Sequence, residues 1–249
     1  MPDADTLLIL ATFLLAGMVK GVIGLGLPTV SLAILTIAFG LPTAMVLLLV
    51  PSFVTNLWQA AAGGHAWTLL QRLWPFLLGA SLCVWIGAIA LVHIDTRLLS
   101  ALLGLLLTIY AGSSLAGLRL SVARRHERWA GPSSGIINGL LTGMTGSFVV
   151  PGVMYLNALG LQRNQLVQAM GMLFTLSTLA LALALGGQRM LDALQLVDSA
   201  MALLPALIGM MLGQRFRRRL SEASFRRLFF FSLLLLGAYI IFAATRSLA

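Results

Sequence analysis

Charge is what this chain has least of. Only 9% of its 249 residues are charged, whereas a soluble domain carries about 25%. That shortage excludes an ordinary soluble domain. Lysine is nearly missing, and Lys20 is the only one. There is a single cysteine, Cys83, inside an apolar run, so no internal disulfide forms and it reads as a small core residue. The three histidines, His65, His93 and His126, sit at span ends or in loops without ligand spacing, and no carboxylates cluster. No catalytic centre, metal site or cofactor is therefore expected. No Gly-Lys-Ser/Thr phosphate loop follows Gly24 and Gly26, which argues against an ATP-driven pump. The start carries Asp3 and Asp5 rather than a basic region, and no small-residue cleavage site follows, so no signal peptide is expected. Alternating apolar patterns are missing too, which makes a β-barrel a poor fit.

Apolar length is abundant. The chain is 59% hydrophobic with a mean hydropathy of +0.99, and its runs reach the ~20 residues that cross a bilayer as helix. The net charge of +9 sits mostly on arginines in short loops between spans, a pattern of membrane topology rather than of nucleic-acid binding. Eight apolar segments follow: 6–39, 42–62, 74–93 and 98–118, then a basic linker at 119–131, then 132–161, 165–185 and 196–213, a basic loop at 214–227, and 228–245.

Segments 6–39 and 132–161 are longer than one span and are interrupted near the middle. Gly17, Gly21 and Gly24 align with Gly139, Gly143 and Gly146, and Pro28 and Pro151 follow the two clusters. The chain therefore reads as two copies of one unit, 1–118 and 132–249, a common transporter plan.

Basic residues prefer the cytoplasmic side. If each broken segment crosses once, the better orientation puts seven arginines inside and eight outside. If each enters and leaves on one side, twelve lie inside and three outside, the three being Arg97, Arg189 and Arg246. The second arrangement is adopted. It makes both basic loops cytoplasmic, gives each repeat three crossings plus a broken re-entrant hairpin, and inverts the repeats. The expected fold is an all-α polytopic membrane protein of two inverted repeats.

Irregular backbone at membrane depth survives where protein or a water-filled cavity satisfies its polar groups. Pro28 and Pro151 are suited to the first turns of short helices, whose N-termini offer N–H groups and partial positive charge to an anion. The expected binding groups at the first break are Lys20, Gly21, Gly24, Gly26 and Pro28. At the second they are Asn138, Thr142, Gly143, Thr145, Gly146, Ser147 and Pro151. Asn56, Gln59, Thr175, Ser177 and Thr178, in the spans that follow, offer further donors. Each has a plainer alternative. Lys20 can snorkel to a surface, the polar groups can cap or join helices, and the glycines can simply let helices pack closely.

The glycine clusters carry a resemblance. With Gly17, Gly21, Gly24 and Gly26 in one half and Gly139, Gly143 and Gly146 in the other, each followed by an apolar run, a short turn and another span, nearly the whole chain resembles the sulfite exporter TauE/SafE family. Many members show a run of glycines at the break; here Leu25 and Leu27 flank Gly26, and Ser147 and Phe148 follow Gly146. The resemblance implies movement of small sulfur-containing anions, sulfite or organosulfonates, across the bacterial cytoplasmic (inner) membrane. The expected function is a secondary transporter working by alternating access, not an enzyme, with the anion held at the membrane midplane. An anion channel and a non-transporting membrane scaffold or enzyme are the alternatives. The particular anion, direction of transport, proton coupling and oligomeric state stay open.

Overall fold

The computed structural model describes residues 3–118, 120–217 and 222–246. Arg119, Arg218 and Arg219, counted in the basic loops, lie outside the described residues. Among those described there are helices and no strands. In order they are α1 (Ala4–Ile23), α2 (Leu27–Phe39), α3 (Leu41–Leu47), α4 (Leu49–Ala61), α5 (Ala66–His93), α6 (Thr96–Leu115), α7 (Arg124–Thr145), α8 (Gly152–Ala158), α9 (Arg163–Gly187), α10 (Ala193–Met201), α11 (Leu203–Phe216) and α12 (Glu222–Arg246). Among the described residues six helical stretches are long and apolar enough to cross a membrane, one of them α10 and α11 taken together, and the bent pair α3–α4 is a seventh candidate. The protein is an all-helical, multi-pass membrane protein.

The breaks in the two long segments fall where the glycine clusters put them. Other boundaries differ from expectation. Segment 42–62 is two helices bent by 46° at Leu48, and segment 196–213 is divided at Ala202 into α10 and α11. Proline explains the first break. Pro51 has no N–H to give the Leu47 carbonyl. Ser199 takes that place: its hydroxyl donates to Leu47 O at 2.8 Å and accepts the Val50 N–H at 3.1 Å. Helix α7 begins at Arg124, inside the expected 119–131 linker, and α5 begins at Ala66 rather than 74. Both added stretches, 66–73 and 124–131, are rich in helix formers (Ala, Leu, Gln, Glu and Arg), and the polar ones among them interrupt the apolar count without interrupting the helix.

The chain forms two compact units. One contains α1–α3, the start of α4, α6 and α10–α12. In it α1 lies against α11, with Gly17 and Gly21 on the backbone oxygens of Ala206 and Met210, and Gly209 and Gly213 on those of Leu14 and Met18. Small residues permit such close helix approach. Helix α6 packs on α12, where Tyr110 meets Phe230 edge-on at 5.2 Å.

The other unit contains the rest of α4, α5 and α7–α9. Its central pair is α5–α7, in which Gly135, Gly139 and Gly143 lie on the backbone oxygens of Phe76, Ala80 and Val84. Two amides join α4 to α9. Gln59 Nε2 donates to Val167 O, and Gln168 Nε2 to Ala60 O, each at 2.7 Å.

Candidate functional site

At the first break, α1 ends on Gly24, whose φ of 87° lies in the left-handed region that favours glycine. Its N–H donates to Lys20 O at 2.7 Å. Gly26 caps α2 with φ 109°, Pro28 stands in the first turn, and no side chain caps that N-terminus. Lys20 lies in the last turn of α1 and is 4% exposed. The carbonyl end of a helix carries partial negative charge, so the ammonium is favourably placed there. Gly21 faces α11 and serves helix packing.

The second break is built the same way. Gly146, at φ 70°, ends α7 and donates to Thr142 O at 2.7 Å. Thr142 thus occupies, at this break, the place of Lys20 at the first. The turn beyond is held by side chains. Thr142 Oγ1 donates to Ser147 O at 2.9 Å, and Thr145 Oγ1 donates to Leu141 O at 2.7 Å and accepts the Ser147 N–H at 3.3 Å. Asn138 Oδ1 accepts the Gly152 N–H at 2.9 Å.

That last bond brings a side chain of α7 to the start of α8. Pro151 stands just before α8, a helix of 7 residues. The Gly152 N–H is taken by Asn138, the Val153 N–H by Val149 O at 2.9 Å, and the Tyr155 N–H by Pro151 O at 2.8 Å. Two buried side-chain donors also stand at this break. Asn138 Nδ2 and Ser147 Oγ are buried with no hydrogen-bond partner among the described residues. Because Oδ1 must face the Gly152 N–H, the orphaned end of the Asn138 amide is its NH₂, a pure donor.

The second broken segment also turns back on itself. The Val122 N–H, just before α7, donates to Ala158 O at the end of α8 at 2.9 Å. Arg72 grips Glu127 through two bonds, at 2.9 and 2.6 Å, and reaches Leu159 O at 3.4 Å. The Arg72 hydrogen bond holds the Glu127 carboxyl below its usual range. Trp67, Trp74 and Trp129, all exposed, lie at this same end of the unit.

The other expected residues are placed as follows. Asn56 is fully buried in α4. The Gln59 amide is engaged with Val167, and Thr175 Oγ1 donates within its own helix to Gly171 O at 2.7 Å. Gly143 faces α5 and serves packing. So Lys20, Gly24, Gly26 and Pro28 gather at one break, and Asn138, Thr142, Thr145, Gly146, Ser147 and Pro151 at the other. Sequence reasoning missed Gly152, where a Cβ would meet the Asn138 amide. The Pro151–Gly152 pair, a turn signal, was the clue. Among the described residues, no three His, Cys, Asp or Glu gather as a metal site.

Residues 9–240 match a family model described as Sulfite exporter TauE/SafE. No curated protein and no solved structure matches the chain.

Proposed function

The chain belongs to the sulfite exporter TauE/SafE family, a family of membrane transporters and not of enzymes, and on that premise we propose that it is a secondary transporter for a small sulfur-containing anion. Sulfite and short organosulfonates are the substrates proposed, moved by alternating access across the cytoplasmic membrane. The observation that carries the reading is Lys20, the only lysine, buried at 4% exposure beside a broken helix. An ionisable group inside a membrane segment is expensive and marks ion pathways. The anion meets Lys20 at the first break, and the donors Asn138 Nδ2 and Ser147 Oγ at the second, during its passage.

Outward movement of an anion is downhill when the cell interior is negative, by ~2.3 kcal/mol per charge per 100 mV. Export of this kind needs no ATP. For topology, the arginine count favours cytoplasmic loops at 119–131 and 214–227 and two inverted repeats. The exposed Trp129, with the Arg128 guanidinium 5.7 Å from its ring centre, supports a membrane interface at that level.

The experiment is flux into proteoliposomes, screened with sulfite, sulfate, thiosulfate and short sulfonates. Saturable uptake with counterflow supports the transporter. Flux that does not saturate and shows no counterflow favours an anion channel. No flux of any of these anions overturns the proposal.

A further inference from the structure

Among the described residues, four buried side-chain atoms have no hydrogen-bond partner: Thr36 Oγ1, Asn138 Nδ2, Ser147 Oγ and Ser177 Oγ. Two belong to the second break. Ser177 is on α9 and fully buried. Its neighbours on that helix face reach the second break. Leu173 reaches Gly152 at the start of α8, its Cδ2 lying 3.0 Å from where a Cβ would stand. The Phe174 ring is 5.7 Å from that of Phe148, in the break itself. Ser177 shares their face of α9, one turn (~5.4 Å) beyond Leu173.

A buried helical serine or threonine normally donates to the carbonyl one turn back. Thr175 on this helix does so, to Gly171 O, and Ser31 does so in α2, to Leu27 O. Ser177 does not, although the Leu173 carbonyl is the equivalent acceptor. An unmade bond at a buried hydroxyl is costly, a sacrifice with a reason if a ligand completes it.

We infer that Ser177 is a third donor to the transported anion, acting with Asn138 Nδ2 and Ser147 Oγ to make the second break an uncharged hydrogen-bonding recess for its oxygens. This rests on the transport reading above and deepens it. The three groups fix the oxygens by geometry, and none of them answers the anion's charge.

The test uses Ser177→Ala in the full-length protein. Two quantities are read: the Tm in detergent with and without sulfite or methanesulfonate, and KM and Vmax for flux in proteoliposomes. The expected result is an unchanged or raised Tm without anion, a smaller anion-induced rise, and a KM raised about tenfold, as loss of one such hydrogen bond gives. Ser177→Thr, which keeps the hydroxyl, restores most of the affinity. A lowered Tm without anion, with KM and the anion-induced rise unchanged, shows a purely structural serine and overturns the inference. If the alanine variant does not fold, Ser177→Cys, close in volume and a weak donor, decides by the same two readouts. A wild-type protein with neither flux nor an anion-induced rise overturns the transport reading, and the role of Ser177 with it. Wild-type flux with an unchanged KM in Ser177→Ala overturns only the latter.

Discussion

Asn138 and Gly152 are joined across the second break, the side-chain oxygen of one accepting the N–H of the other at 2.9 Å. The bond does two jobs. It caps the short helix α8, and it leaves the NH₂ of the same amide buried with no acceptor among the described residues.

Asn138→Ala is therefore expected to lower stability by about 1–3 kcal/mol, because it strands a buried N–H. Ser147→Ala removes a hydroxyl that has no partner among the described residues and leaves stability within about 0.5 kcal/mol, while weakening anion affinity. Denaturation in detergent, with and without sulfite, separates the two. Equal stability losses in both would contradict the division of roles.

Gly143 and Gly112 make a matched pair. A Cβ at Gly143 meets the backbone of Val84 and Ala88, whereas one at Gly112, in α6, meets nothing within 4 Å. Gly143→Ala is expected to destabilise by about 1–3 kcal/mol through overpacking. Gly112→Ala is expected to stabilise by roughly 0.5–1 kcal/mol, the helix-propensity gain. Thermal unfolding of the two variants checks the contrast.

Ser199 bridges the bend between α3 and α4. Ser199→Ala leaves the Leu47 carbonyl and the Val50 N–H without their partner and is expected to cost about 1–3 kcal/mol. A variant as stable as wild type would mean that the proline break needs no bridge.

These variants mark what the sequence revealed and what it hid. The two breaks were legible because Gly24 and Gly146 need positive φ, and a cluster of glycines before a proline announces such a path. The fold class followed from apolar length. The bend at Leu48 was hidden, since Pro51 looks harmless in an apolar run and its compensating partner, Ser199, is far along the chain. The start of α7 was hidden because Arg124, Arg125 and Arg128 read as a loop when only apolar length is counted. At the two breaks, Lys20 and Asn138 were legible as polar groups in apolar helices, and their binding role is the proposal. Gly21 and Gly143 face neighbouring helices, and spacing alone does not separate close packing from a sharp turn, since both select glycine. The capping of α8 by Asn138 depends on a contact across the turn, which spacing alone does not show.

The Arg72–Glu127 pair closes the open end of the second hairpin. Both side chains are partly exposed, at 26% and 14%, so the pair is expected to be worth no more than about 1 kcal/mol. The Glu127 carboxyl is held low by Arg72, so its contribution is present above the unfolded carboxylate pKa and is lost as pH falls through the folded one. Glu127→Gln should thus be less stable than wild type at neutral pH and converge with it in acid. Unfolding curves across that range check the sign, and a gap that widens in acid would contradict it.

The most direct test of the central claim is saturable sulfite flux in proteoliposomes, measured side by side for the wild type and Lys20→Ala at equal reconstituted amounts. The buried positive charge is proposed to answer the charge of the anion, and hydrogen bonds to charged groups contribute about 1.5–3 kcal/mol. The account predicts wild-type counterflow and a fall in Vmax/KM of about tenfold or more in the variant. Unchanged KM and rate in Lys20→Ala would contradict it.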